Sequence, residues 1–528
     1  MTEKLNKLMN DSAAARWGAL ILIASMMFFA YMFVDVMSPL KSMLEGEIGW
    51  SSTVFGTYAA SEYILNVCGF LILAGIILDK MGVRHTGVLS ASLMVAGACI
   101  KFVGISPWFQ TTAFCGWLNS WWTALPGSAK MASLGFMIFG CGCEMAGTTV
   151  SKAIAKWFKG KEMSLAMGVE MAIARLGVFA VMWISPLIYN KFGTVVAPVA
   201  FCTALLFIGL IFFIVFTVMD RKFDSQLVAA GLMSSEKSPE DEFHVKDLGQ
   251  IFSSKMFWIV ALMCVLYYSA IFPFQKYAVN MLQCNLTLTP PAADSFWASE
   301  SITYVQYIIM LLVAATGFAS NFQKKAAAKY GLLAVSILSL ITYCYMGFMR
   351  QSAESIFAVF PLLAVLITPI LGSYVDHKGK AATMLVLGSL LLIACHLTFA
   401  FVLPAFKGNA VGGVIIAYLT ILVLGSSFSL VPASLWPSVP KLVDAKVIGS
   451  AYALIFWIQN IGLWLFPLLI GKVLDSTNEG VTDPTQLNYT APLVMLASLG
   501  VAALVLGLVL KVVDKKKGLG LEEPNIKE

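Results

Sequence analysis

Glu144 and Arg175 stand inside apolar runs on either side of the polar segment WFKGKE at 157–162. Glu144 lies sixteen residues before Gly160 and Arg175 fifteen after it. If both runs are helical, a rise of about 1.5 Å per residue carries each charge roughly 22–24 Å from that segment. Two antiparallel helices then bring an acid and a base to one depth. A carboxylate suits an ammonium group, and a guanidinium fork can bond a carboxylate bidentately. The pair is either an internal salt bridge or a clamp for the two ends of a zwitterion, and a bridge opened by ligand would combine both.

The same arithmetic places Asp35 and Glu62 about equally far from the turn near Gly46 to Gly49, where either could bind substrate or carry a proton. Glu170, five residues before Arg175, is expected about 140° round the helix and facing elsewhere. Lys276 in IFPFQKYAV is a further candidate, against the plainer reading that it snorkels outward. Tyr268, Trp436 in SLWPSVP and Asn460 in FWIQNIGLW complete the candidate binding set. Prolines 437 and 440 free backbone groups that must face protein or water, and a mid-span amide can bond a ligand or glue helices. Packing is the competing reading for all three.

Other chemistries find little support. The four histidines are scattered, and HExxH, GxSxG and a Walker lysine after a glycine loop are absent from the sequence. No catalytic, metal or cofactor site is expected, and no nucleic-acid partner. The cysteines sit mostly in apolar runs, where a thiol acts as a small hydrophobe; Cys115 and Cys284 are the one pair that could bridge.

The elements carrying these residues follow from composition. Over 528 residues, 59% are hydrophobic and 12% charged, with mean hydropathy +0.83, too little charge for a soluble surface. Runs of about 20 apolar residues recur, enough to cross roughly 30 Å of hydrocarbon. The expected fold is an all-α polytopic membrane protein with about fourteen transmembrane helices. Its expected parts are an N-terminal six-helix half over 1–219, a cytoplasmic linker over 220–253, a C-terminal half over 254–511 and a cytoplasmic tail over 512–528. With the N-terminus inside, about 26 lysines and arginines fall on inner segments and about 8 on outer ones (Lys41, Lys101, Lys130, Lys191, Lys276, Arg350, Lys407 and Lys472), which places both termini in the cytoplasm. The Trp-, Phe- and Pro-rich outer segments 105–130 and 283–300 suit the membrane interface.

One motif occurs twice. GIILDKMG carries Gly75, Asp79 and Gly82, with Arg84 just beyond; GSYVDHKG carries Gly372, Asp376 and Gly379. Both read G-x3-D-x2-G, and both end a span at the inner face. This resembles the inner-loop signature of the major facilitator superfamily, which implies two six-helix halves, alternating access and a conformational role for these residues. Two surplus apolar runs precede the second copy, so 301–349 is expected to be an inserted transmembrane hairpin. FGCGCEMAGTTVSKAIAKWFKGKEMSLAMGVEMAIARLG, YYSAIFPFQK, SLWPSVP and GSAYALIFWIQNIGL further resemble the lysosomal dipeptide transporter branch of that superfamily. The resemblance implies dipeptide uniport, a possible accessory subunit, and roles for Glu144, Arg175 and Trp436 at the substrate.

The expected function is a non-enzymatic secondary transporter of small peptides, by uniport or proton symport, in a bacterial inner membrane or alternatively a lysosomal one. An organic-anion or nitrate carrier of the same fold is the alternative within transport. A non-transporting substrate sensor is the alternative outside it.

Overall fold

In lipid each backbone N–H and C=O must find a partner within its own segment, so long apolar runs become helices. The computed structural model describes residues 8–159, 161–230, 248–320, 323, 325–442 and 448–524. Among them, fourteen helices are long and apolar enough to cross a membrane. The first six are α1 (Ala13–Ile48), α2 (Ser52–Leu78), α3 (Lys80–Ile105), α4 (Gly127–Trp157), α5 (Leu165–Phe192) and α6 (Val196–Ala229). The next four are α7 (Lys255–Asn285), α8 (Glu300–Ser320), α9 (Ala326–Arg350) and α10 (Ala353–Lys378). The last four are α11 (Ala381–Ala405), α12 (Ala410–Leu442), α13 (Ala451–Thr477) and α14 (Thr490–Lys517). The chain is an all-helical, multi-pass membrane protein.

Two compact units form: Met1–Met37 with Val54–Val245, and Ser38–Thr53 with Lys246–Glu528. In the first unit α3 lies along α4, and α1 packs on α5 and α6. Small residues let these backbones close up. A Cβ at Gly140 would overlap the Glu62 carbonyl oxygen, and one at Gly177 the Phe28 carbonyl oxygen, the close approach that stands in for hydrophobic driving force between membrane helices.

In the second unit α11 packs on α12 and α14, and α7 on α13 and α14. The pair α8–α9, which covers the expected hairpin, packs mainly on itself and touches α10 and α12. Its Tyr343 hydroxyl donates to the Ser355 carbonyl at 3.1 Å. Segment Ser38–Thr53 also belongs to this unit. There Asp475 accepts the Ser52 and Thr53 backbone N–H groups at 3.0 and 2.8 Å, which caps the start of α2.

Of the segment expected as a linker, Asp220–Ala229 extend α6, residues 231–247 lie outside the described residues, and Leu248–Ser253 form a short helix. Cys115 and Cys284 are both free, buried thiols, so the one bridge the sequence allowed does not form.

Candidate functional site

The glycines around Glu144 and Arg175 set which helices those side chains meet. Gly140, one turn before Glu144, lays α4 on α2 at Glu62; Gly177, two residues after Arg175, lays α5 on α1 at Phe28. Arg175 accordingly sits over the Tyr31 ring, its Cζ 5.8 Å from the centroid. The charges of Arg175, Glu144 and Glu170 all act on the Tyr31 hydroxyl. Those of Glu62, Asp35 and Glu144 act on Tyr63. Four acids and one base thus gather about two tyrosines, with Glu144 common to both groups. Asp35, Glu62 and Glu170 are buried, whereas Glu144 and Arg175 are half-buried.

Glu170 is buried on the same helix and within range of the Arg175 charge. The ion pairs among the described residues do not join Glu144 to Arg175. Tyr31 and Tyr63 were missed, although Tyr31 precedes Asp35 by one turn and Tyr63 adjoins Glu62. Lys101 was missed too. Counted above among the outer cations, it is fully buried, with its ammonium 4.1 Å from the Phe33 ring centroid, 4.5 Å from Phe136 and 5.1 Å from Tyr58. That is a cation–π cage.

The second unit gathers its candidates around Trp436. The indole N–H donates to the Tyr268 hydroxyl at 3.1 Å, and the ring stacks on Phe456 at 4.8 Å between centroids. Tyr452 donates to the Trp436 carbonyl at 2.9 Å, a backbone group in the proline-interrupted turn. Asn460 donates to the Phe456 carbonyl at 2.9 Å, while its buried side-chain oxygen has no hydrogen-bond partner. Tyr268 and Trp436 are therefore neighbours on α7 and α12, and Asn460 on α13 lies one turn beyond the Phe456 that stacks on Trp436. Lys276 is buried on α7, two turns beyond Tyr268, so it does not snorkel to water.

The repeated motif has a structural signature. Gly82 takes φ 71°, ψ 173°, and Gly379 takes φ 73°, ψ −135°, backbone that only glycine adopts without strain. Gly75 and Gly372 face open space. Asp376 is half-buried, and the Asp79 side chain lies outside what is described.

Arg84 reaches Asp224 at 2.8 Å and Asp220 at 3.8 Å. Lys156 holds Asp220 at 2.8 Å and Asp224 at 2.6 Å, and the Trp157 indole donates to Asp220 at 2.8 Å. A cavity of about 170 Å³ lies among Gly82, Arg84, Lys156, Asp220 and Asp224. The WFKGKE segment is thus a set of fasteners: Phe158 packs on Trp17 at 5.4 Å, Lys161 pairs with Asp11 at 2.9 Å, and Glu162 pairs with Arg16 at 2.7 Å.

A profile of the Major Facilitator Superfamily matches residues 23–353, well over half of the chain. The chain belongs to the major facilitator superfamily. Among curated relatives, the lysosomal dipeptide transporter MFSD1 of Bos taurus is 22% identical over 477 residues, covering 88% of this chain and 80% of the relative. The same transporter of Mus musculus is 23% identical over 474 residues, covering 88% and 81%. Among solved structures, the nucleoside transporter NupG matches with a TM-score of 0.60 at 12% identity, over 93% of this chain and 99% of that one. Tetrameric PepTSo2 matches with a TM-score of 0.57 at 14% identity, over 96% and 100%. At those identities the structures speak for the major facilitator fold and nothing finer. As a member of this superfamily the chain is a transporter.

Proposed function

We propose that this transporter carries small peptides, dipeptides first among them, by alternating access. The observation that carries the reading is the pair Glu144 and Arg175, an acid and a base whose charges both act on Tyr31. Glu144 takes the peptide ammonium and Arg175 its carboxylate, while Asp35 and Glu62 shape the charge on the neighbouring helices. In the other unit, Trp436, Tyr268, Asn460 and Lys276 are the proposed substrate contacts. The names of the curated relatives support the same substrate class.

Gly75, Asp79, Gly82, Arg84, Gly372, Asp376 and Gly379 are assigned to conformational gating, which the shared glycine backbone supports. Both termini are placed in the cytoplasm. Four cations counted on outer segments, Lys41, Lys101, Lys130 and Lys276, are buried, so the outer surface is less basic than the sequence count implies. The proposed membrane is a bacterial inner membrane.

The test is thermal stabilisation of the purified protein by free dipeptides, with single amino acids, end-blocked dipeptides and nitrate as controls, followed by uptake into liposomes. Free dipeptides are expected to stabilise it. Blocking the amine should mimic Glu144→Gln, and blocking the carboxylate should mimic Arg175→Ala. A folded protein that ignores every dipeptide and responds to nitrate would instead make Arg175 an anion site.

A further inference from the structure

Helix α11 begins without a cap of its own. The residue before it, Lys380, is left-handed (φ 64°) and makes no side-chain capping bond, so the first backbone N–H groups need acceptors from elsewhere. They find them about 140 residues downstream. The Lys380 N–H donates to the Glu522 carbonyl at 3.2 Å, and the Ala381 N–H to the Leu521 carbonyl at 3.0 Å. The Thr383 N–H donates to the Glu522 carboxylate at 2.8 Å, and the Thr383 hydroxyl meets both carboxylate oxygens at 2.9 Å. Glu522 does for Thr383 what an N-cap side chain does for the third residue of a helix.

The segment that delivers Glu522 is itself fastened. After α14, Gly518 turns left-handed at φ 63°. The Leu521 N–H then donates to Asp514 at 3.0 Å, and the Leu521 side chain is fully buried. Lys441, at the end of α12, donates to the Gly520 and Glu523 carbonyls at 2.8 and 3.3 Å. Lys511 donates to the Thr383 hydroxyl at 2.7 Å. The backbone of Glu522 and Glu523 lies where a Cβ on Gly379 would stand. The last glycine of the second motif copy is therefore needed twice, for its positive φ and for the room it leaves.

We propose that segment 518–524 is a detachable strap that supplies the missing cap of α11 and holds the turn of the second Gly/Asp motif against α12 and α14. The strap joins three helix ends through seven residues at the end of the described chain. Anything that draws the tail away uncaps α11 and loosens that turn, which makes the tail a handle on this end of the unit.

Hydrogen–deuterium exchange of the full-length protein tests this without a substrate. One opening event should release Lys380, Ala381, Thr383 and Leu521 together, so their amides are expected to exchange at a common rate, faster than the interior of α11. In Glu522→Ala, Lys380, Ala381 and Thr383 should exchange roughly five- to tenfold faster, with the rest of the second unit unchanged. A chain ending after Gly518 should show the same local change, reversed by an excess of a peptide of residues 518–528. Unchanged exchange at Ala381 and Thr383 in folded Glu522→Ala would overturn the strap, as would acceleration spread evenly over the whole unit.

Discussion

Gly82 and Gly379 close two copies of one motif at almost the same φ, 71° and 73°, yet the turns they close are held differently. Beyond Gly82, charge does the holding: Arg84 and Lys156 share Asp220 and Asp224, and Trp157 adds an indole N–H. Among the described residues, nothing lies within 4 Å of the space a Gly82 Cβ would fill. Beyond Gly379, backbone does it, through the strap around Glu522. The motif therefore specifies a turn, whereas the clamp on the turn is free to differ between copies. A charge network is strong but depends on each buried member having its partner. A strap is weaker per contact and can be removed whole.

The largest expected effect separates the two clamps. Asp220 is 1% exposed and accepts from both Lys156 and Trp157. Asp220→Ala leaves the buried Trp157 indole N–H without its acceptor, while Arg84 and Lys156 keep Asp224, and should cost about 2–3 kcal/mol. Glu522→Ala loses a cap and should cost about 1 kcal/mol. Thermal unfolding in detergent reads both, and equal losses would erase the distinction between network and strap.

The next effect sharpens it. Gly82→Ala and Gly379→Ala both place a side chain in glycine-only backbone, a strain of about 1–3 kcal/mol each. Gly379→Ala also meets the tail, so it should be the more damaging. Ending the chain after Gly518 should remove that surplus and bring the two substitutions level in a double-mutant cycle. A surplus that survives truncation would show that something other than the tail crowds Gly379.

The smallest effect is on pH. The Arg16 guanidinium beside Glu162, helped by the Trp17 indole, holds this carboxyl below its ordinary value of 4.5. A lowered folded value means the contribution is complete above the ordinary value and is lost as pH falls through the folded one. Glu162 is about a third exposed, so solvent screening keeps the contribution small. Trp17 emission should change as pH falls below 4.5 in the parent protein and not in Glu162→Gln. Identical titrations of parent and variant would show that Glu162 does not hold Arg16 and Trp17.

The candidate site was legible in part. Glu144 and Arg175 stood out because charge in apolar runs is costly and a helix has a fixed rise. Tyr31 was hidden because a tyrosine in an apolar run looks like any interfacial aromatic. Lys101 was counted as an outer charge because its position along the chain gives its depth, whereas its cage of Phe33, Tyr58 and Phe136 comes from three other helices. WFKGKE read as a marker of kinship, and its work as a fastener appears only with Asp11, Arg16, Trp17 and Asp220 beside it.

Residue order alone was enough for the membrane class, the fourteen helices and the repeated turn. Each of these is a sum or a spacing over contiguous residues, and lipid leaves an apolar run no other solution than a helix. Which charges meet was settled by packing. Helix rotation and crossing, set by contacts such as Gly140 on Glu62 and Gly177 on Phe28, brought Arg175 over Tyr31. Chain return did the same for Glu522, which reached the open end of α11 from about 140 residues away. Neither is written in local spacing, because the free energy that decides them lies between segments distant in the chain.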